Sequence, residues 1–230
     1  MTDSTQEPED SSDLEMILEV ACNVADTLEQ AVELGEEDLL RVALLTLERV
    51  EVEESVEVSL LVTDDDGLRE LNREFRGRDE ATDVLSFPLL DAPLVEAPAD
   101  ELWLPAEDGA TGTPSAGETG QGMWLSGDVH GTAGVSESDT EAEERDDGED
   151  AGEDGDDYED TPLHLGDIAI SRDAVVRQAA AAGHSVAWEC AYLFAHGLLH
   201  LMGYDDSTDA GYRAMVAHQE AVLTEAHIAR

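Results

Sequence analysis

Two histidines four residues apart, His196 and His200, stand in the stretch His196-Gly197-Leu198-Leu199-His200-Leu201-Met202-Gly203-Tyr204-Asp205-Asp206. On a helix, residues at that spacing share one face about 6 Å apart along the axis, so both imidazoles can address one cation. Gly203 lets the backbone take a left-handed turn and fold back. A residue a few positions later can then supply a third ligand from outside the helix. Three protein ligands and an open water position is the arrangement of a catalytic zinc rather than a structural one. The spacing alone leaves a second reading open, a pair of satisfied core histidines on an apolar helix. Zinc peptidases of the H-E-x-x-H kind carry their general base next to the first histidine. Here that position is Gly197, which cannot move a proton, so peptide hydrolysis by that route is disfavoured.

Arg69, Arg73, Arg76 and Arg78 form the densest basic cluster of the chain, and helical spacing puts the first three on neighbouring positions of one face. A guanidinium fork suits phosphate; for Arg76 the structural alternative is a surface salt bridge to Asp79 or Glu80. Ser86 and Asp167 fall on strands expected to border the same cleft. Asp167 either orients a ligand histidine through a hydrogen bond or makes a strand-end turn contact. His184 precedes a helix cap and reads as structural. Trp188, Tyr192 and Phe194 read as core, and His218 and His227 as facing solvent or a helix seam.

The elements that must position these residues are legible from periodicity and caps. Residues 15–21 read as a strand, 36–50 as a helix with an acidic first turn, and 56–63 as a β-branched alternating strand. Thr63 is expected to cap a short helix running to about Phe75. Strands are predicted over 81–88, stopped by Pro88, and over 165–171. A helix follows from Arg172 to about Ala182, with Gly183 just past its end. Ser185 caps a long apolar helix ending at Gly203, and an amphipathic helix covers about 209–227. The order β-α-β-α-β, a long insertion, then β-α-α-α predicts an α+β (α/β-like) fold. It is a small mixed four-stranded sheet packed by helices, with the metal site on a long helix in the C-terminal half.

Charge separates the folded part from the rest. Among 230 residues there are 57 Asp+Glu, 11 Arg and no Lys, a formal net charge of −46. That excludes an ordinary basic nucleic-acid-binding domain and a polybasic membrane anchor. Residues 90–162 hold 23 acidic residues and one arginine, and Glu137–Asp160 has 15 acids in 24 positions. Such a run repels itself and has little to bury, so a solvated acidic low-complexity insertion is expected there. Residues 1–12 read as a disordered acidic tail, leaving 13–230 as a single domain interrupted at 90–162. Arginine as the sole cation on acidic faces suggests a halophilic chain, because at about 1 M salt the Debye length falls to roughly 3 Å and self-repulsion is screened. No run approaches a spanning helix. The acidic N-terminus lacks an apolar signal core, so a cytoplasmic location is expected. Cys22 and Cys190 read as buried thiols rather than a bridge.

HGLLHLMGYD (196–205) resembles the signature HGxLHLxGYDH of the YbeY family, metal-dependent endoribonucleases of ribosomal RNA maturation. LNREFRGRDEATDVLSFP (71–88), LGDIAIS (165–171) and GHS (183–185) resemble further family blocks in the expected order. The resemblance implies a single-strand-specific endoribonuclease acting in late 16S ribosomal RNA 3′-end maturation and ribosome quality control. It implies one zinc ion per chain and, as partners, precursor RNA, the small ribosomal subunit and its assembly factors, with neither DNA nor membrane. Arg76 corresponds to the arginine that the family uses in its cleft.

Two departures stand out. The family joins its TDVLSFP and GDI strands by a short link where this chain carries the acidic block. The family's third ligand is histidine, and the matching residue here is Asp206. A carboxylate is a competent zinc ligand, but harder than imidazole, so Mn²⁺ or another divalent ion becomes an alternative. Three readings stand: Asp206 ligates; Asp205 or a water takes that place; or the site is degraded. The last corresponds to a non-catalytic ribosome-assembly or RNA-binding factor.

Overall fold

The structure, a computed structural model, describes residues 16–103 and 161–230. The expected acidic tail (1–12), and the part of the expected insertion from 104 to 160, lie outside the described residues.

Four strands form one mixed sheet in the order β1-β2-β4-β3. β1 (Met16–Cys22) is followed by a short α1 (Leu28–Val32), α2 (Glu36–Arg49) and β2 (Val56–Thr63). Then come α3 (Asp65–Arg76), β3 (Val84–Pro88), β4 (Leu163–Ser171), α4 (Arg172–Ala182), α5 (Val186–Met202) and α6 (Asp209–Glu225). β1, β2 and β4 run parallel, and β3 closes one edge antiparallel to β4. The architecture is α+β, as the element order predicts.

Strand alternation divides the sheet into two faces. Val56, Val58, Leu60, Val62, Ile168 and Ile170 face the larger core, together with α2 and α5. Leu61, Leu85, Phe87 and Ala169 face a smaller cluster closed by Leu68, Leu71 and Phe75 of α3. α5 is the central helix. It packs on β3, β4, α2, α4 and α6 and buries residues around most of its circumference, as an apolar helix without a polar face must. Cys190 lies fully inside it, and burial pushes its thiol up to about 12; both cysteines are free.

Several boundaries differ from the sequence expectation for local reasons. α3 is capped by Asp64, whose carboxylate accepts from Gly67 N at 2.8 Å. Thr63 remains the last strand residue, paired with Ser171. β3 starts at Val84 because the Asp83 carboxylate accepts from Val84 N and turns the chain before it. α6 stops at Glu225, and His227 sits in the left-handed region at φ 58°. α1 is too short to show a period, although Thr27 caps it by accepting from Gln30 N. Residues 90–103 fold onto the domain: Val95 is buried, and Leu102 bridges Tyr204 antiparallel.

Candidate metal centre and cleft

Ser185 starts α5 by accepting from Trp188 N at 3.0 Å. Three turns later the helix brings out His196 and His200, with ring centroids 4.5 Å apart at 89° and Nε2 atoms 3.0 Å apart. Nδ1 of His200 lies 2.9 Å from the Tyr204 carbonyl. A carbonyl only accepts, so Nδ1 carries a proton and Nε2 is the nitrogen turned toward His196. Burial, and then His200, hold His196 below its ordinary range, while Asp206 opposes them; that ring is thus suited to the neutral, metal-binding form.

Gly203 ends the helix at φ 122°, where a side chain would run into Pro93. The chain then doubles back, and Asp206 returns to the histidines. Its Oδ2 lies 3.8 Å from His196 Nε2 and its Oδ1 3.9 Å from His200 Nε2. Ligand atoms of His196, His200 and Asp206 all lie within 4.8 Å of one another. Donors on a tetrahedral zinc, with metal–ligand bonds of about 2.1 Å, stand about 3.4 Å apart. The imidazole nitrogens, 3.0 Å apart, are closer than that, and Asp206 reaches them through different oxygens at 3.8 and 3.9 Å, so the three residues fit such an ion once the side chains turn to bring one carboxylate oxygen to both histidines.

Asp205 does something else. Its carboxylate accepts from Ser207 N at 3.1 Å and from Ser207 Oγ at 2.6 Å, which ties both oxygens into the loop turn. Ser86 is buried on β3 opposite Ile168. Its Oγ would stand 3.1 Å from a Cβ placed on Gly197, and Ile168 Cγ2 would stand 2.9 Å from it. The glycine between the first histidine and the rest of the motif is therefore a packing requirement, since it lets α5 lie directly on β3 and β4.

Arg76, at the end of α3, is half-buried and donates from Nη2 to the Ser86 carbonyl at 3.2 Å. Asp79 is taken instead by Arg69 through two hydrogen bonds of 2.7 and 3.0 Å, and Arg73 lies 3.5 Å from Glu70. Asp167 adjoins Ile168 on β4 and so points to the opposite face of the sheet from α5. There it pairs in register with Ser59 and Phe87, and His164 Nε2 lies 4.0 Å away. Burial raises its pKa, while His164 and a hydrogen bond from Ser59 oppose the shift. It does not orient a ligand histidine.

His184 pairs with Glu189 at 3.1 Å and meets Trp188 edge-on. His218 packs on Tyr204 at 5.2 Å, and His227 is exposed. None of the three joins the ligand group. Phe194 is fully buried and Trp188 nearly so, while Tyr192 is half-buried and stacks on Trp188 at 5.0 Å. Two residues that the sequence did not single out support the histidines. Gln219 of α6 is buried, donates from Nε2 to Tyr192 O at 3.1 Å and shares a hydrogen bond with His196. Trp103 donates from Nε1 to His200 O at 3.3 Å. A lone glutamine on an amphipathic helix and a tryptophan inside an acidic segment carry no spacing signal that could have marked them.

A family model described as "Endoribonuclease YbeY" matches residues 24–227. A protein of that name from Moorella thermoacetica is 35% identical over 167 residues, 73% of this chain and 70% of its own length. Another from a Roseiflexus species is 34% identical, covering 80% of this chain and 79% of that one. One from Agathobacter rectalis is 31% identical over 92% of this chain and 96% of that one. The family match takes in every described element after β1, through to the last helix, and the two histidines, the glycine bend and the Asp206 loop lie inside it: this chain belongs to the YbeY family.

Proposed function

We propose that the chain is a metal-dependent endoribonuclease that cuts single-stranded RNA in the late 3′-end maturation of 16S ribosomal RNA. The observation that carries this reading is the convergence of His196, His200 and Asp206 on one point. The relatives are named as endoribonucleases, which supports RNA as the substrate class. Two imidazoles and a carboxylate suit zinc, with Mn²⁺ as the alternative. Such an ion, when bound, supplies Lewis-acid polarisation of a phosphoryl oxygen and acidifies a bound water.

The residues of the chain divide the remaining work. His196 and His200 would hold the ion through their Nε2 atoms, and the Tyr204 carbonyl orients the second ring by engaging its Nδ1. Asp206, 41% exposed, closes the ligand set from the solvent side. Arg76 spends one N–H on Ser86 O and keeps others that can bind a non-bridging phosphate oxygen. Ser86 and Gly197 set how closely the α5 turn approaches β3.

With a net charge of −46, broad Lys/Arg neutralisation of a phosphate backbone is not available to this protein. Binding then rests on the metal and a few arginines, which fits a single-stranded RNA better than duplex DNA. The small ribosomal subunit and its assembly factors are the proposed partners, in the cytoplasm. Among the described residues no helix is long and apolar enough to cross a membrane.

A second reading, an RNA-binding assembly factor without catalysis, draws on the exposure of Asp206 and on its 3.8–3.9 Å separations from the two imidazoles. Metal analysis of protein purified at high salt, combined with cleavage of a single-stranded RNA, separates the two. The nuclease predicts about one equivalent of Zn or Mn, with metal and cleavage both lost in His196→Ala and Asp206→Ala. It also predicts cleavage lost with metal retained in Arg76→Ala. Wild-type protein that binds RNA but holds no metal and cuts nothing supports the assembly factor.

A further inference from the structure

We propose that residues 93–103 are a positioning strap for the metal centre, holding the loop that carries Asp206 in its ligating place. The proposal rests on the metal reading above and adds residues outside the ligand set to it.

Five hydrogen bonds join this strap to the end of α5 and to the loop beyond. Leu94 N donates to Met202 O at 2.9 Å, Trp103 N to Gly203 O at 3.0 Å, and Asp205 N to Glu101 O at 2.9 Å. Thr208 Oγ1 donates to Asp100 O, and Trp103 Nε1 donates to His200 O at 3.3 Å. Leu102 and Tyr204 form an antiparallel bridge, so the strap and the loop are locally a two-stranded ribbon. Asp206 lies between two tied residues, Asp205 on one side and Thr208 on the other.

The strap is itself anchored. Val95 is buried, and Leu94, Ala97 and Leu102 pack against the main core. Pro93 fills the space that a side chain at Gly203 would need, so the strap lies directly against the bend. A loop that must be ordered at the moment of binding weakens that binding, whereas a loop ordered beforehand does not. Groups that orient ligands from outside typically change metal affinity ten- to a hundred-fold, by roughly that range, when removed.

The test uses the full chain at high salt, stripped of metal and then titrated with Zn²⁺ or Mn²⁺ against a chromophoric chelator. Trp103→Phe keeps an aromatic ring, though a smaller one, and removes the N–H that reaches His200 O. Thr208→Val removes the hydroxyl, which also caps α6 by accepting from Gly211 N at 2.9 Å, so its metal-free unfolding midpoint is measured beside its affinity, and Thr208→Ser keeps both bonds. The strap predicts that Trp103→Phe and Thr208→Val each weaken metal binding on the order of ten-fold, while Thr208→Ser stays within about two-fold of wild type. It also predicts an unchanged metal-free unfolding midpoint for Trp103→Phe, which separates positioning from a general loss of fold.

Wild-type affinity in Trp103→Phe overturns the strap and leaves the metal reading standing, provided that His196→Ala loses the ion. Should Trp103→Phe fail to fold, the contrast between Thr208→Val and Thr208→Ser decides, and equal affinities in that pair overturn the proposal. Wild-type protein that binds neither ion takes down the metal reading and the strap together.

Discussion

The Tyr204 carbonyl lies 2.9 Å from Nδ1 of His200, so the bend that ends α5 also fixes the tautomer of a histidine within the helix. The same bend returns Asp206 to 3.9 Å from the Nε2 of that ring. One turn of backbone therefore orients the second histidine and brings the carboxylate back to it.

Replacing Asp206 with histidine tests which ion the present ligand set favours. A carboxylate is harder than imidazole, and softer nitrogen ligands favour zinc over manganese. Asp206→His is expected to raise the Zn²⁺-to-Mn²⁺ affinity ratio by about ten-fold or more, measured by parallel chelator titrations of metal-free protein. An unchanged ratio places Asp206 outside the coordination sphere.

Gly197→Ala opposes two effects of known sign. Alanine gains about 1 kcal/mol of helix propensity over glycine. Its Cβ, however, would sit 2.9 Å from Ile168 Cγ2 and 3.1 Å from Ser86 Oγ, in a contact between helix and sheet that has no slack. Overpacking of this kind costs about 1–3 kcal/mol, so a net loss of up to about 2 kcal/mol is expected in urea unfolding at high salt. Because α5 would be lifted from β3, metal affinity should fall as well. A stabilised variant with intact metal binding contradicts the packing account of this glycine.

The framework of the site is legible in sequence because it rests on local rules. The spacing of His196 and His200, the Gly203 bend and the Ser185 cap each follow from a few adjacent residues, and the structure brings the histidines together with Asp206. Alternating apolar residues likewise mark β2, and β4 is read as a strand over 165–171 against an observed Leu163–Ser171. What sequence could not supply depends on the face of the sheet. Asp167 and Ile168 are neighbours, yet one strand step puts them on opposite sides, and only pairing register reveals that Asp167 faces Ser59 rather than α5. Gln219 and Trp103 reach the histidines from distant parts of the chain, a relation that no local pattern encodes. Acidic composition also concealed that residues 90–103 carry enough apolar side chains, Val95 among them, to fold onto the core.

Asp167→Asn turns that placement into a measurement. Burial raises the Asp167 pKa, against opposition from His164 and Ser59. A carboxyl whose pKa is raised on folding destabilises the folded state once pH exceeds that raised value, and the penalty disappears as pH falls below the ordinary carboxylate value. The variant is therefore expected to melt higher than wild type at pH 7, with the difference vanishing near pH 4 or below. Metal affinity should be unchanged, because the residue lies on the far face of the sheet. A loss of metal affinity in Asp167→Asn contradicts this placement.

Salt should govern folding more strongly than any of these substitutions. The chain carries −46, and several of its described cations are already committed nearby: Arg69 to Asp79, Arg177 to Asp65 and Arg41 beside Asp38. These exposed pairs add little each, so most of the carboxylate repulsion is left to the solvent to screen. At about 0.01 M salt the Debye length is roughly 30 Å, comparable to the whole domain, and at about 1 M it is roughly 3 Å, shorter than the spacing between most surface charges. Circular dichroism during a KCl titration is expected to show helix content rising with salt and reaching a plateau near molar concentrations. The thermal midpoint should climb over the same range. Equal stability at 0.01 M and 1 M salt would show that the acidic surface is tolerated without screening, and would remove the physical ground for reading the chain as halophilic.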